Sequence, residues 1–243
     1  MNKLYIKLLS FFISIIDQNN KNKIISFFKT KFKDKKLNII DVGAHKGETI
    51  LLFMDNLDVS KILAFEANPH IFNELKKKIK KLKVLKKIDL FNLGIGEKVD
   101  KKTLQIFNDT SSSTFNSINK ESRYYKRKQF FLSFFKKNIL SRKEIIRILP
   151  ISDLQEFNKL KTIDILKIDT EGYEYNVIKG VKEKDLEKIT CIYFEHHYDL
   201  MIKKNYKFYD IDKLLKKNHF VMKFKIRMKL RKTFEYIYEN TKK

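Results

Sequence analysis

The sequence is poor in the residues that form disulfides, tight turns and membrane spans. Its 243 residues include one cysteine, no tryptophan, two prolines and six glycines. A lone Cys191 excludes an intrachain disulfide and a C-x-x-C metal site, and it fits a reducing compartment. No apolar run reaches the roughly 18 residues of a membrane span. The nearest, Leu4 to Ile16, contains Lys7 and lacks a signal-peptide cleavage site. We therefore expect a cytoplasmic protein without a transmembrane segment, and peripheral membrane contact is the alternative.

Acidic residues are few compared with basic ones. The chain has 29 aspartates and glutamates against 53 lysines and arginines, which gives a formal net charge of +24. Such a charge suits an anionic partner, such as nucleic acid, a membrane surface or an acidic glycan. The lysines are spread along the whole chain, however, so we attribute most of the charge to a compositional bias.

Two of the six glycines, Gly43 and Gly47, lie in one turn near the start of the predicted α/β domain. A short apolar run over 37–40 ends in Asp41 and breaks into Gly43 and Gly47, and a helical pattern follows over 48–54. This order predicts a strand, a turn and a helix. In a parallel α/β sheet, the turn at the carboxyl end of a strand is where ligands bind. We expect Gly43 to allow close approach of the backbone to a cofactor.

Further strand–helix units follow along the chain and resemble the first. Apolar runs over 61–65, 163–168 and 189–194 end on acids: Glu66, Asp169 and Glu195. Alternating strands and helices predict a doubly wound, mostly parallel α/β sheet. Such a sheet brings these acids and Asp41 to one edge, around a single crevice. Two final runs, 220–230 and 233–238, predict an antiparallel hairpin on the sheet edge.

The length of the chain predicts one domain with added segments. We assign a helical extension to 1–36 and the α/β domain to 37–243. Within the domain, residues 119–147 are basic and aromatic and contain no glycine or proline. We predict that this stretch is an inserted, mostly helical cap over the site. Its lysines, arginines and aromatic rings could also bind phosphates and stack on bases.

The first turn does not match a dinucleotide-binding site. That fingerprint is G-x-G-x-x-G, whereas this chain has D-x-G-x-x-x-G at 41–47. An acid before the turn suits a ligand with a positive end, and Glu66 can accept hydrogen bonds from both ribose hydroxyls. S-adenosylmethionine has both features.

Three segments together resemble the FkbM-type methyltransferases. They are DVGAHKG at 41–47, FEANP at 65–69 and LKIDTEGYE at 166–174. The D-x-E-G-x-E phrase of the third is the most specific, and the resemblance covers about 37 to 200. It implies a class I methyltransferase (Rossmann-like) fold with seven strands. It further implies S-adenosylmethionine as cofactor and a hydroxyl of a saccharide or natural product as methyl acceptor.

The resemblance also implies roles for individual residues. Asp41, Gly43, Ala44 and Gly47 would hold the methionine end of the cofactor, Glu66 and Ala67 the ribose, and Asn92 the adenine. Asp169 and Glu171 would face the transferred methyl group and the acceptor. Methyl transfer to oxygen needs a base to take the hydroxyl proton. Asp169, Glu171 and His196 are the candidates, and His196 is considered because an unperturbed imidazole titrates near neutrality.

Other interpretations of the same residues remain open. Asp169, Glu171, Glu195 and His196 could hold Mg²⁺, but their spacing does not call for a metal, and we predict none. The net charge supports an RNA methyltransferase as an alternative, although motifs for methylation of base nitrogen or carbon are lacking. A glycan-binding or membrane-associated module without catalytic activity is the second alternative.

Overall fold

The computed structural model describes residues 18–82, 85–107, 113–133, 140–228 and 232–243. Its strands in chain order are β1 (Leu37–Val42), β2 (Val59–Phe65), β3 (Ile88–Phe91), β4 (Gly94–Ile95), β5 (Asp100–Phe107), β6 (Ser113–Thr114), β7 (Ser117–Ile118), β8 (Leu140–Leu149), β9 (Ile163–Ile168), β10 (Ile189–His197), β11 (Ile202–Lys203), β12 (Phe220–Arg227) and β13 (Thr233–Asn240). Its helices are α1 (18–31), α2 (Glu48–Asn56), α3 (Pro69–Lys80), α4 (Arg123–Ser133), α5 (Gln155–Lys159), α6 (Glu174–Lys179), α7 (Glu183–Leu186) and α8 (Phe208–Lys217).

Seven of these strands form the central sheet, in the order β12-β13-β10-β9-β1-β2-β3. The pairs from β3 across to β10 are parallel. Strand β13 runs antiparallel to both of its neighbours. The predicted α/β class, the mostly parallel seven-stranded sheet and the final hairpin are therefore confirmed.

Both faces of the sheet are covered by helices, which is why its central strands are buried and mostly apolar. All six residues of β9 are buried. Ile39 of β1 and Ile165 of β9 pack with α1, α2 and α3, whereas their sequence neighbours Ile40 and Leu166 pack with α5, α6 and α8. The alternation follows from the two-residue period of a strand.

The N-terminal extension is part of the folded core where it is described. Ile24, Ile25 and Phe28 of α1 are buried against the sheet face that also carries α2 and α3. The predicted helix over Leu4–Ile16 lies outside the described residues. None of the described helices is long and apolar enough to cross a membrane.

The prediction of a helical cap over 119–147 is only partly right. Helix α4 accounts for Arg123–Ser133, but β8 begins at Leu140 and pairs antiparallel with β5. The reason is a two-residue alternation within β8, where Ile146 and Ile148 are buried and Ile145 is exposed. Strands β4, β8, β5 and β6 form a second sheet of four strands. Residues 134–139 lie outside the described part.

Candidate active site

A cavity of about 410 Å³ lies at the carboxyl ends of the parallel strands. The turns after β1, β2 and β9 form one part of it, and α1, β10 and β13 another. Six carboxylates line it: Glu48, Glu66, Asp169, Glu171, Glu195 and Glu235. Two lysines, Lys21 and Lys167, also line it. The cavity is thus rich in acids although the chain as a whole is strongly basic.

The turn after β1 passes close to the turn after β9. Gly43 has a φ of 84°, and a Cβ atom there would lie 1.8 Å from the carbonyl oxygen of Asp169. Glycine is required at position 43 because the backbone of Asp169 occupies the space that a side chain would need. The sequence had predicted that a cofactor would occupy this space. Gly43 and Ala44 line the cavity. Gly47 does not line the cavity. A Cβ atom at Gly47 would lie 2.8 Å from a methyl group of Leu75 in α3.

Asp41 lies below the cavity and not in its lining. Its carboxylate is fully buried, and its Oδ1 is 3.1 Å from Nζ of Lys167. The same Nζ donates to the carbonyl oxygen of Gly43 at 3.3 Å and lies 3.7 Å from Oδ2 of Asp169. Burial alone would lower the pKa of Lys167, but the two aspartates raise it well above its usual range. Lys167 is therefore a buried cation that ties β1 to β9.

Sequence reasoning missed Lys167, although a signal was present. Lys167 is a charged residue in a strand whose six residues are all buried. A buried charge of this kind needs a partner. Asp41, at the end of the neighbouring strand, is the register partner of Lys167.

Glu66, at the end of β2, is a buried acceptor that orders two turns. Its Oε1 accepts a hydrogen bond from the backbone N–H of Asn68, and its Oε2 accepts one from that of His45, both at 2.8 Å. Each oxygen keeps a second lone pair. Since Glu66 and Ala67 also line the cavity, the carboxylate can accept hydrogen bonds from a ligand there.

Asn92 does not line the cavity, contrary to what its predicted adenine contact requires. Its side-chain N–H₂ group donates to the carbonyl oxygens of Glu66 at 2.8 Å and Ala67 at 3.2 Å. The amide therefore holds the β2 turn in place. Leu93, Gly94 and Ile95 instead line this end of the cavity.

The ends of β9 and β10 bring acids together around one histidine. Nε2 of His197 lies 3.3 Å from Oε2 of Glu171 and 3.2 Å from Oε1 of Glu195. Its Nδ1 lies 3.6 Å from Oδ2 of Asp199. Burial alone would lower the pKa of His197, but these carboxylates raise it well above its usual range, so the ring is a cation at neutral pH. Burial raises the pKa of Glu171 to about 7, although the nearby His197 cation lowers it in part.

His196 points away from this cluster, so it does not supply a base at the cavity. Successive side chains of a strand point to opposite faces. His196 is buried edge-on against Tyr198, with Tyr206 and Phe208 nearby. Burial lowers its pKa to about 3. The structure therefore keeps Asp169 and Glu171 at the cavity, together with Glu195, and excludes His196.

The cavity residues fit S-adenosylmethionine by the chemistry of their side chains. The carboxylates that follow β9 complement a cationic sulfonium and ammonium group, and Glu66 can accept ribose hydroxyls. The volume is within the usual range for small-ligand sites. Among the described residues, no group of three or more His, Cys, Asp or Glu side chains could hold a metal ion.

Comparison with known proteins gives two kinds of similarity. The family model described as "Methyltransferase FkbM domain" matches residues 41–222. The solved structure of Methyltransferase FkbM from Methylobacillus flagellatus is similar over 84% of this chain, with 14% identity and a TM-score of 0.54. The matched region covers 44% of that longer protein.

A second solved structure shares the fold. Magnesium protoporphyrin IX methyltransferase from Synechocystis PCC 6803, solved with bound SAM, has 10% identity and a TM-score of 0.50. That match covers 93% of this chain and 79% of the other. A search of curated proteins found no match.

Proposed function

The chain belongs to the family of methyltransferases with an FkbM domain, and from this premise we propose that it methylates a hydroxyl of a saccharide or small natural product. S-adenosylmethionine is the cofactor that the family and the class I fold indicate. When bound, the cofactor supplies an electrophilic methyl group on a sulfonium. The protein must hold it, align the acceptor oxygen and remove the hydroxyl proton.

Residues of the first two turns would hold the cofactor. Gly43 and Ala44 line the cavity after β1, and Glu66 and Ala67 line it after β2. Glu66 is already oriented by two backbone N–H groups, so it would accept ribose hydroxyls without reordering. Asp41 would not contact the cofactor directly. It pairs with the Lys167 cation, which in turn donates a hydrogen bond to the carbonyl oxygen of Gly43 and holds that turn in place.

The observation that carries the proposed chemistry is the environment of Glu171. This carboxyl lines the cavity, and burial raises its pKa to about 7. A general base works best when its pKa is near the working pH. Glu171 can therefore take the proton of an acceptor hydroxyl, and Asp169 beside it can orient that hydroxyl.

The cavity's acidity favours a hydroxyl acceptor over RNA. Six carboxylates against two lysines in the lining repel phosphate groups near the reacting centre. Lys167, moreover, already forms an ion pair with Asp41, so it is not available to bind a phosphate group. The same set of intact acids, with Glu171 poised to titrate near neutrality, favours a working enzyme over a module that only binds glycans or membranes.

Cofactor binding is tested by isothermal titration of the full chain with S-adenosylhomocysteine. We expect binding that weakens at least about tenfold in Glu66→Gln, because a buried charged acceptor is lost. Glu74→Gln is the matched control, since Glu74 is a half-exposed residue of α3 that pairs with Lys46. Binding of NAD with no binding of S-adenosylhomocysteine would overturn the proposal.

Methyl transfer is tested with cofactor carrying a tritiated methyl group. We expect label in neutral glycosides and none in RNA. Glu171→Gln should lower the rate by about 10²-fold or more, as loss of a general base does. Glu183→Gln, an exposed change in α7, should leave the rate unchanged. Label in RNA alone would identify the alternative enzyme.

A further inference from the structure

The cavity has a second end, beneath α1, which the proposed cofactor contacts do not use. Lys21 and Ile24 of α1 line it from above, and Tyr193 of β10 and Glu235 of β13 line it from the sheet. Met228, just after β12, completes it. Of these five residues, only Tyr193 lies within the matched family segment, 41–222.

A buried hydrogen bond forms the floor of this end. The hydroxyl of Tyr193 donates to Oε1 of Glu235 at 2.6 Å, and both residues are 8% exposed. The other oxygen of Glu235, Oε2, is buried and has no hydrogen-bond partner among the described residues. An unpaired buried carboxylate oxygen is costly. Burial also raises the pKa of Glu235 to about 7, so this group titrates near neutrality.

The floor is continuous with the proposed catalytic group. Glu235 is the direct register partner of Glu195 across β13 and β10. Glu195 lies 3.2 Å from His197, and His197 lies 3.3 Å from Glu171. A ligand on Glu235 would therefore be bound along the same face of the sheet that carries the base.

We propose that this second end is the subsite for the methyl acceptor, and that it takes an uncharged, polyhydroxylated molecule such as a glycoside. Glu235 and Glu195 accept hydrogen bonds from its hydroxyls, and Lys21 at the rim donates to a hydroxyl oxygen. Ile24 and Met228 pack against its C–H groups. This inference rests on the proposed function, whose cofactor it places next to the subsite.

The charges around the subsite select against other acceptors. A phosphorylated acceptor would face Glu195, Glu235 and Asp169, with Lys21 as the one free lysine among the described lining residues. A cationic acceptor would lie beside the sulfonium of the cofactor, and like charges repel. A neutral polyol avoids both costs.

The test is saturation-transfer NMR on the full chain saturated with S-adenosylhomocysteine. The probes are methyl β-D-glucopyranoside and methyl α-L-rhamnopyranoside as neutral acceptors, glucose 6-phosphate as the anion, and glucosamine as the cation. We expect transfer to a neutral glycoside and weaker or no transfer to the charged sugars. Absence of transfer to both neutral glycosides, or a clear preference for either charged sugar, would overturn the proposal.

Two variants separate this subsite from the cofactor site. Glu235→Gln and Tyr193→Phe should each weaken glycoside binding by about tenfold, the effect of losing one buried hydrogen bond to a charged group. Binding of S-adenosylhomocysteine should stay within about twofold, which also shows that the variants are folded. The Glu183→Gln control should change neither quantity.

The outcomes distinguish this inference from the proposed function. Variants that weaken S-adenosylhomocysteine binding and leave the glycoside unchanged would assign these residues to the cofactor and overturn the subsite. Unchanged binding of both ligands would overturn it as well. Failure of the wild-type chain to bind S-adenosylhomocysteine would instead overturn the proposed function.

Discussion

Two neighbouring histidines of β10 have opposite environments, and the difference decides which one can influence the proposed base, Glu171. His196 lies among aromatic rings, where burial lowers its pKa to about 3. His197 lies among carboxylates and is a cation. A cation cannot act as a base, but it can tune one. His197 is therefore a positioning residue that keeps the Glu171 carboxyl from titrating at a still higher pH.

This role predicts a shift in the titration of Glu171. In His197→Asn the cation is lost, so the pKa of Glu171 should rise above about 7. The acidic limb of the pH–rate profile should move to higher pH in the same direction, because the base must be deprotonated to work. Carboxyl ¹³C NMR of glutamate-labelled protein measures the first effect directly.

The matched control is the adjacent residue on the other face. His196→Asn disturbs an aromatic cluster but removes no charge from the cavity, so the titration of Glu171 should be unchanged. Equal shifts in the two variants would contradict the assigned role of His197.

The Lys167–Asp41 pair predicts a stability effect without any ligand. Lys167→Met leaves Asp41 buried without its partner, and removing one member of a buried ion pair costs about 3–5 kcal/mol in the free energy of unfolding. The double variant with Asp41→Leu removes both charges, so it should recover much of that loss. Urea denaturation measures the wild type, both single variants and the double variant. Additive losses in the double variant, or no loss in the single one, would rule out the pairing.

At the scale of elements, α1 connects the core to the cavity. Phe28 is fully buried, and its ring packs edge-on against Tyr193, which lines the cavity. Lys31 of the same helix pairs with Glu239 of β13 at 2.6 Å. The helix is thus attached to the two strands that form the proposed acceptor subsite.

Loss of the Phe28 ring should therefore affect stability and acceptor binding together. Phe28→Ala should lower the free energy of unfolding by about 3–5 kcal/mol, the cost of emptying a packed core site. Urea denaturation measures this, and NMR should show weaker glycoside binding. Phe27→Ala, at a half-buried position of the same helix, should cost much less. Equal losses would mean that α1 does not pack as described.

The strand–helix units were predictable because each has a local sequence pattern. Apolar runs ending on acids and glycines locate β1, β2 and β9 and their turns. Strand β8 was not predicted, because its alternation follows a long basic aromatic stretch without a turn residue. Asn92 lies after the end of β3, and no local pattern shows that its amide donates to the β2 turn. His196 was misassigned for a different reason. The direction of a side chain depends on strand register, which tertiary pairing sets and single-strand patterns do not.

At the scale of the whole molecule, surface and cavity have opposite electrostatic character. The net charge of +24 should make the chain bind RNA or heparin at about 50 mM salt and release it at about 500 mM, as counterion release requires. Elution from a heparin column along a salt gradient measures this. Retention that resists salt, or labelled methyl groups in the bound RNA, would contradict a charge-driven association.

The pairing of α1 with β13 also has a consequence for when the protein becomes active during its synthesis. Lys31 of α1 pairs with Glu239 of β13, 208 residues further along the chain. Contacts of such long sequence separation form late. A nascent chain can pair β1 with β2 while still on the ribosome, but the proposed acceptor subsite lacks Glu235 until β13 has emerged. The proposed methyl transfer would therefore require a polypeptide translated through that strand.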